Sequence, residues 1–410
     1  MTEFSTIYAR RTLLVSLVSV GMGFTVLFPV LAPLGREIGL SEFQITAIIA
    51  ASSLTVFLIS PIWGRMSDVW GRKRVMLIGL FGFSAGTALF NSVLYAGLSG
   101  VLIGWTLFAS LVVTRMMHAA VMSASMPAAN AYMADITDTA NRAKGMGAAG
   151  AANNLGSIMG PAVSALAVFS LLLPLWTMAV VALLNGLFVW RFLPEPPRHN
   201  KPVKMPRLKY TDRRILPFML VGVLMFSGMG MVQQTMGFRF QDVLDLNAGD
   251  TAKVVGIAMM LSAVSSLIAQ GFIVQRLNIA PFNLLKLAMP LLIVAFTMMA
   301  LVDSQLWLTI AMMFQGFGMG LAGPGFMAGA SLAVSAREQG AVAGIAGASG
   351  PLGFTIGPLV GGLLYQYEPA LPYACAAGVY TLLLLAMPWL GRRTTVHEAE
   401  ESEEEAIDQR

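Results

Sequence analysis

Apolar positions in this chain do not alternate with polar ones over short periods; they continue for long stretches and stop at brief polar breaks. The runs predict helices near 12–34, 43–63, 74–95, 104–134, 144–168, 170–193, 215–237, 252–275, 284–302, 306–334, 341–365 and 369–391. A helix rises about 1.5 Å per residue, so about 20 apolar residues cross a hydrocarbon core about 30 Å thick. The expected fold is therefore an all-α membrane protein of twelve transmembrane helices. The boundary between the third and fourth helices, around 94–113, is the least sharply marked by sequence.

The pattern repeats. At an offset of 197 residues, Gly150, Gly156, Gly160, Pro161, Val163 and Leu166 fall on Gly347, Gly353, Gly357, Pro358, Val360 and Leu363. A duplicated fifth and eleventh span implies two pseudo-symmetric six-helix bundles, 1–195 and 215–392. They are joined by a cytoplasmic linker, 196–214, and followed by an acidic cytoplasmic tail, 393–410. Small residues four apart let helix backbones approach closely in lipid, where packing drives association. Gly156, Gly160 and Pro161, with Gly357 and Pro358, are thus candidates for a sliding or bending element.

Composition agrees with a lipid solvent. Hydrophobic residues make up 56% of the chain, charged residues 11%, and the mean hydropathy is +0.72, which leaves too little polar surface for a water-soluble globule. With both termini in the cytoplasm, all 26 Lys and Arg except Arg36, Arg239, Lys253 and Arg115 fall on the cytoplasmic side, as the positive-inside rule requires. The expected location is a cell inner membrane of bacterial type. The twin arginines Arg10 and Arg11 precede no small-residue cleavage site, so an uncleaved first helix is expected. The positive charge then faces anionic lipid rather than nucleic acid. One cysteine and three histidines write no metal cluster, and no cofactor is expected.

Two constellations carry chemistry. Between the second and third spans, Gly64, Arg65, Asp68, Gly71 and Arg72 form a charged string in which Asp68 and Arg72, four apart, can pair on a helical turn. Gly64 and Gly71 are expected to let the chain turn there, and Arg65, Arg72 and Asp135 to meet on one side of the membrane. Within the fourth span, Arg115 stands three residues from His118 on one helix face. An arginine at mid-helix costs about 2.5 to 3.5 kcal/mol on insertion scales, so it should face a wet cavity or a partner. Histidine is a proton carrier near neutral pH.

On these residues the chain resembles the major facilitator superfamily, and within it the twelve-span drug:proton antiporters. The string from Gly64 to Arg74 matches the superfamily's loop between spans two and three. Leu111-x-x-x-Arg115-x-x-His118 resembles its fourth-span motif, Gly156-x-x-x-Gly160-Pro161 its fifth-span antiporter motif, and Ala131 to Thr137 the matching segment of tetracycline-type exporters. His118 and Ala119 stand where Gln and Gly are usual, and paired glycines survive only in the second half, as Gly361 and Gly362. The resemblance implies a latch at Asp68, Arg72 and Asp135 that closes one side while the other is open. It also implies proton coupling through Arg115, with His118, Asp68 and Asp135 as further candidates.

A substrate cavity is expected between the halves, lined by Asn153, Asn154 and Ser157 from the first and Gln233, Gln234 and Gln315 from the second. The 28 methionines suit an adaptable apolar wall. The expected function is proton-coupled efflux of an amphipathic small molecule or drug by a monomer in membrane lipid. Export of an endogenous metabolite such as a siderophore, or a proton-coupled importer or uniporter of an organic solute, stays open. The sequence contains no nucleophile elbow or metalloprotease pair that would suggest an intramembrane enzyme.

Overall fold

A computed structural model describes residues 3–137, 142–196, 212, 214–277, 279–334 and 338–388. The described chain is a succession of helices, without a strand among the described residues: α1 (Glu3–Thr25), α2 (Leu27–Glu37), α3 (Glu42–Trp70), α4 (Arg72–Leu98), α5 (Gly104–Met122), α6 (Ser125–Asp135), α7 (Arg142–Val163), α8 (Leu173–Phe192), α9 (Leu216–Leu244), α10 (Ala248–Ile268), α11 (Pro281–Leu301), α12 (Gln305–Leu332), α13 (Gln339–Tyr367) and α14 (Leu371–Pro388). Ten segments are long and apolar enough to cross a membrane: α1 with α2, α3, α4, α5 with α6, α8, α9, α10 with its π turn, α11, α12 and α14. The protein is a multi-pass membrane protein. The tail from 393, most of the linker and Arg337 lie outside the described residues.

Proline chemistry explains where two spans break. Pro29 has no N–H for the Thr25 carbonyl four residues earlier, and α1 gives way to α2 there. Pro127 does the same for Ser123 at the α5–α6 junction. At that junction the Ala124 N–H turns to the Val121 carbonyl, 3.1 Å away, which frees the carbonyl of Ala120. Trp63 Nε1 from α3 donates to it at 2.6 Å and Ser123 Oγ at 3.0 Å. A broken backbone is thus repaired by a neighbouring helix, as lipid demands. The loop around residue 100 is short, with Gly100 and Gly104 both at positive φ.

The described residues group into two compact units. The first comprises those of Met1–Pro202, Gln233–Met260 and Pro358–Tyr367; the second, those of Val203–Val232, Leu261–Gly357 and Glu368–Arg410. In the first, Leu13, Leu17, Met76, Leu80, Tyr132 and Val189 share one buried core. Polar ties stitch it: Tyr132 Oη donates to the Pro194 carbonyl at 2.6 Å, and Asn185 Nδ2 to that of Ser16 at 3.2 Å. In the second, α11 lies along α12, where Gly318 and Gly325 admit Leu292 and the Pro281 carbonyl. Tyr380 Oη donates to the Met225 carbonyl at 2.6 Å, and Arg214 bridges Asp212 and Glu338, each at 3.0 Å.

Candidate functional site

The charged string after the second span is mostly helical. Residues 64–70 complete α3, Gly71 alone turns the chain, and Arg72 opens α4. Gly71 holds φ at +100°, and an added Cβ would meet the Glu195 carboxylate at 2.7 Å, so glycine is required there. Gly64 is different from the expectation: it sits inside α3 with open space beside it, and makes no turn. Arg72 gathers the side chains. It pairs with Asp68 on the preceding turn, reaches Asp135 Oδ2 with Nε at 2.9 Å and donates from Nη1 to Ser67 Oγ at 2.7 Å. All these residues lie in the first unit. The Asp68 side chain keeps 62% of its surface exposed, against 25% for Asp135. Arg65 is exposed on α3.

The far end of α3, about 40 Å away along 29 residues, carries a second cluster that the sequence did not disclose. Arg36, at the end of α2, donates to Glu42 Oε1 from Nε at 3.1 Å and Nη2 at 2.8 Å. Its Nη1 and Nη2 fork onto the two oxygens of Asp242 in α9, the second at 3.0 Å. Tyr365 Oη from α13 donates to Asp242 Oδ2 at 2.7 Å, and the guanidinium lies 4.8 Å from the Phe238 ring centre. Close packing surrounds it. Gly237 faces Ala32, Gly362 faces the Thr46 hydroxyl, and Ser164 Oγ donates to the Ala252 carbonyl at 2.9 Å. Helices from both halves of the sequence are therefore tied together within the first unit at the Glu42 end. The available signal was Arg36 itself, one of few cations outside the basic segments, but its partner lies 206 positions on.

Arg115 and His118 do meet. Arg115 Nη1 donates to His118 Nδ1 at 2.7 Å, and His118 Nε2 faces Thr87 Oγ1 at 3.4 Å. Because arginine only donates, Nδ1 is the accepting nitrogen and the ring proton sits on Nε2. Phe83 stacks edge-on against the imidazole at 5.0 Å, and Phe90 lies 5.7 Å from the guanidinium. The pair borders a narrow pocket, partly open to solvent, whose remaining wall includes Val26, Leu27, Phe83, Phe90, Leu175 and Met178.

The duplicated glycines occupy equivalent places. Added Cβ atoms on Gly156 and Gly160 would strike the backbone of α1 at Val18 and Met22; on Gly353 and Gly357 they would strike that of α9 at Phe226 and Ser227. α7 thus rests on α1, and α13 on α9. Pro161 leaves the Ser157 carbonyl without its helical donor, and Thr25 Oγ1 of α1 supplies one at 3.1 Å.

Of the expected cavity residues, Asn153, Asn154, Ser157, Gln233 and Gln234 belong to the first unit and Gln315 to the second. Asn154 is exposed, Ser157 Oγ donates to the Asn153 carbonyl at 3.1 Å, and Gln315 Nε2 reaches Met229 Sδ at 3.4 Å. Asn153 Oδ1, Gln234 Nε2 and Gln315 Oε1 are sealed without a hydrogen-bond partner among the described residues.

The helix breaks, the Arg72 cluster and the paired glycine contacts are those of a polytopic membrane carrier. The Major Facilitator Superfamily model matches residues 13–328 and 287–409, and the chain belongs to that family. It is 26% identical to Multidrug resistance protein 1 of Bacillus subtilis over 384 residues, 92% of this chain and 95% of the relative. To the class C tetracycline resistance protein of Escherichia coli it is 33% identical over 177 residues, 42% of this chain and 40% of that one. The crystal structure of the human organic anion transporter MFSD10 superposes with a TM-score of 0.66 at 20% identity, covering 93% of this chain and 99% of that one.

Proposed function

We propose that the chain is a secondary active transporter that works by alternating access and expels an amphipathic small molecule or drug in exchange for protons. Twelve spans, counting α7 and α13, form two six-helix bundles, 1–195 and 215–392, in a monomer surrounded by inner-membrane lipid, with both termini in the cytoplasm. The Trp70 end of α3 is then cytoplasmic and the Glu42 end faces outward.

The observation that carries this reading is the asymmetry of charge along α3. At the Glu42 end Arg36 is saturated by Glu42, Asp242 and Gln241, a closed gate. At the Trp70 end Asp68, paired only with its helical neighbour Arg72 among the described ion pairs, is left largely exposed, able to take a further partner when that end closes and the other opens. Drug efflux is supported by the drug resistance in the names of the bacterial relatives, and an apolar, methionine-rich interior suits a loosely specified cargo. Proton exchange is assigned to His118 beside Arg115, with Asp68 and Asp135 answering at the cytoplasmic end.

Inside-out vesicles containing the protein test this. An amphipathic dye should accumulate when the lumen is acid and stop when a proton ionophore is added. Accumulation indifferent to the gradient would overturn the antiport.

A further inference from the structure

The cavity beside Arg115 has a charge without an answer. The guanidinium offers five donors and no acceptor; one bond goes to the neutral nitrogen of His118, Nε is sealed without an acceptor, and Arg115 makes no ion pair among the described residues. Its neighbours are neutral or aromatic: Thr87, Phe83, Phe90 and, across the space, Leu175 and Met178. Arg36, Arg72 and Arg214, by contrast, each meet at least one carboxylate. A cation partly withdrawn from water and given no counter-charge is a costly arrangement, relieved when an anion arrives. Charge-assisted bonds from guanidinium to a carboxylate are among the stronger hydrogen bonds available.

We propose that Arg115 seats the anionic group of a ligand, a carboxylate or a group of like charge, with an apolar body lying against Phe83, Phe90 and Met178. This selects amphipathic anions from the amphipathic molecules named above. It rests on the reading of the chain as a carrier of such molecules, but the seat is a matter of binding rather than of proton exchange.

Equilibrium binding to the detergent-purified protein, read by energy transfer from tryptophan to a dansyl group, separates the two. Dansyl-undecanoate should bind about tenfold or more tightly than its uncharged methyl ester, the worth of a charge-assisted bond. Arg115→Gln should remove the difference and Arg115→Lys should keep part of it. Excess acetate that displaces the probe would identify a free small anion as the occupant; failure of acetate to displace it would identify the ligand's own headgroup. Both results sustain the seat. Equal binding of acid and ester by the unaltered protein would overturn it, whether or not the glutamine variant folds, and so would an undiminished preference in that variant. No pH gradient or flux enters the measurement, so loss of proton coupling leaves the result readable.

Discussion

Arg36 and Asp242, 206 positions apart, share a forked contact in which Arg36 Nη2 lies 3.0 Å from Asp242 Oδ2. It joins the end of α2 to the end of α9, and Glu42 and Tyr365 complete the ring of partners. Only arginine can span two carboxylates with a rigid fork of this kind. Asp242→Asn should therefore loosen that end of the first unit. Amide exchange across 27–37 and 238–244 is expected to quicken about tenfold, corresponding to about 1.4 kcal/mol, the scale of a hydrogen bond to a charged group. Arg36→Lys should fall between. Unchanged exchange in both would show that packing, and not the fork, holds this end.

The glycines give a control within the same pattern. Gly156→Ala and Gly353→Ala place a methyl against backbone of α1 and α9, whereas Gly150 and Gly347, in the same repeat, have nothing within 4 Å. The first two substitutions should each cost about 1–3 kcal/mol or more. The second two should be neutral or slightly stabilising, since alanine favours a helix over glycine by about 0.5–1 kcal/mol. Thermal unfolding in detergent distinguishes the pairs, and equal losses at all four positions would contradict the packing argument.

Thr25 and Pro161 should be coupled. Thr25→Val removes the donor to the Ser157 carbonyl and leaves a buried acceptor unmet, a loss of about 1–3 kcal/mol. Pro161→Ala restores the helical N–H to that carbonyl, so Thr25→Val should be milder in its presence. A double-mutant cycle is expected to return a coupling of about 0.5–3 kcal/mol. Additive effects would mean that the hydroxyl acts elsewhere.

The two carboxylates on Arg72 should differ in kind. Asp135 is the better shielded, 25% exposed against 62% for Asp68, and exposed ion pairs contribute about 0–1 kcal/mol. Asp135→Asn is expected to lower the melting temperature. Asp68→Asn should leave insertion and melting nearly unchanged while transport of an amphipathic dye falls about tenfold, the effect of about 1.4 kcal/mol at one conformational step. Normal transport by the Asp68 variant would remove the latch.

What could be read from the sequence was what depends on near neighbours or on solvent. Long apolar runs mark the ten membrane-length segments because lipid imposes length, and Asp68 with Arg72 is legible because four residues make one helical turn. Arg115 with His118 follows the same rule at a spacing of three. The Arg36–Asp242 contact is not legible, since nothing local to either residue specifies a partner two hundred positions away. The broken first and fourth spans were hidden in another way. Pro29 and Pro127 stand in apolar runs where hydropathy alone sees one helix, and at the second break a side chain from another helix, Trp63, meets the freed carbonyl. Gly64 misled because glycine marks a turn in water more reliably than within a membrane helix, and α3 runs through it unbroken to Trp70.

The most direct measurement is of distance at both ends of α3 in one sample. Spin labels at Glu37 and Asp245 report the Glu42 end, and labels at Val69 and Gln339, both cytoplasmic in the proposed topology, report the cytoplasmic side, each pair in a cysteine-free background lacking Cys375. On addition of substrate or acid, the two mean distances should change in opposite senses, one end opening as the other closes. Distances that rise together, or that both stay fixed while transport proceeds, would contradict alternating access.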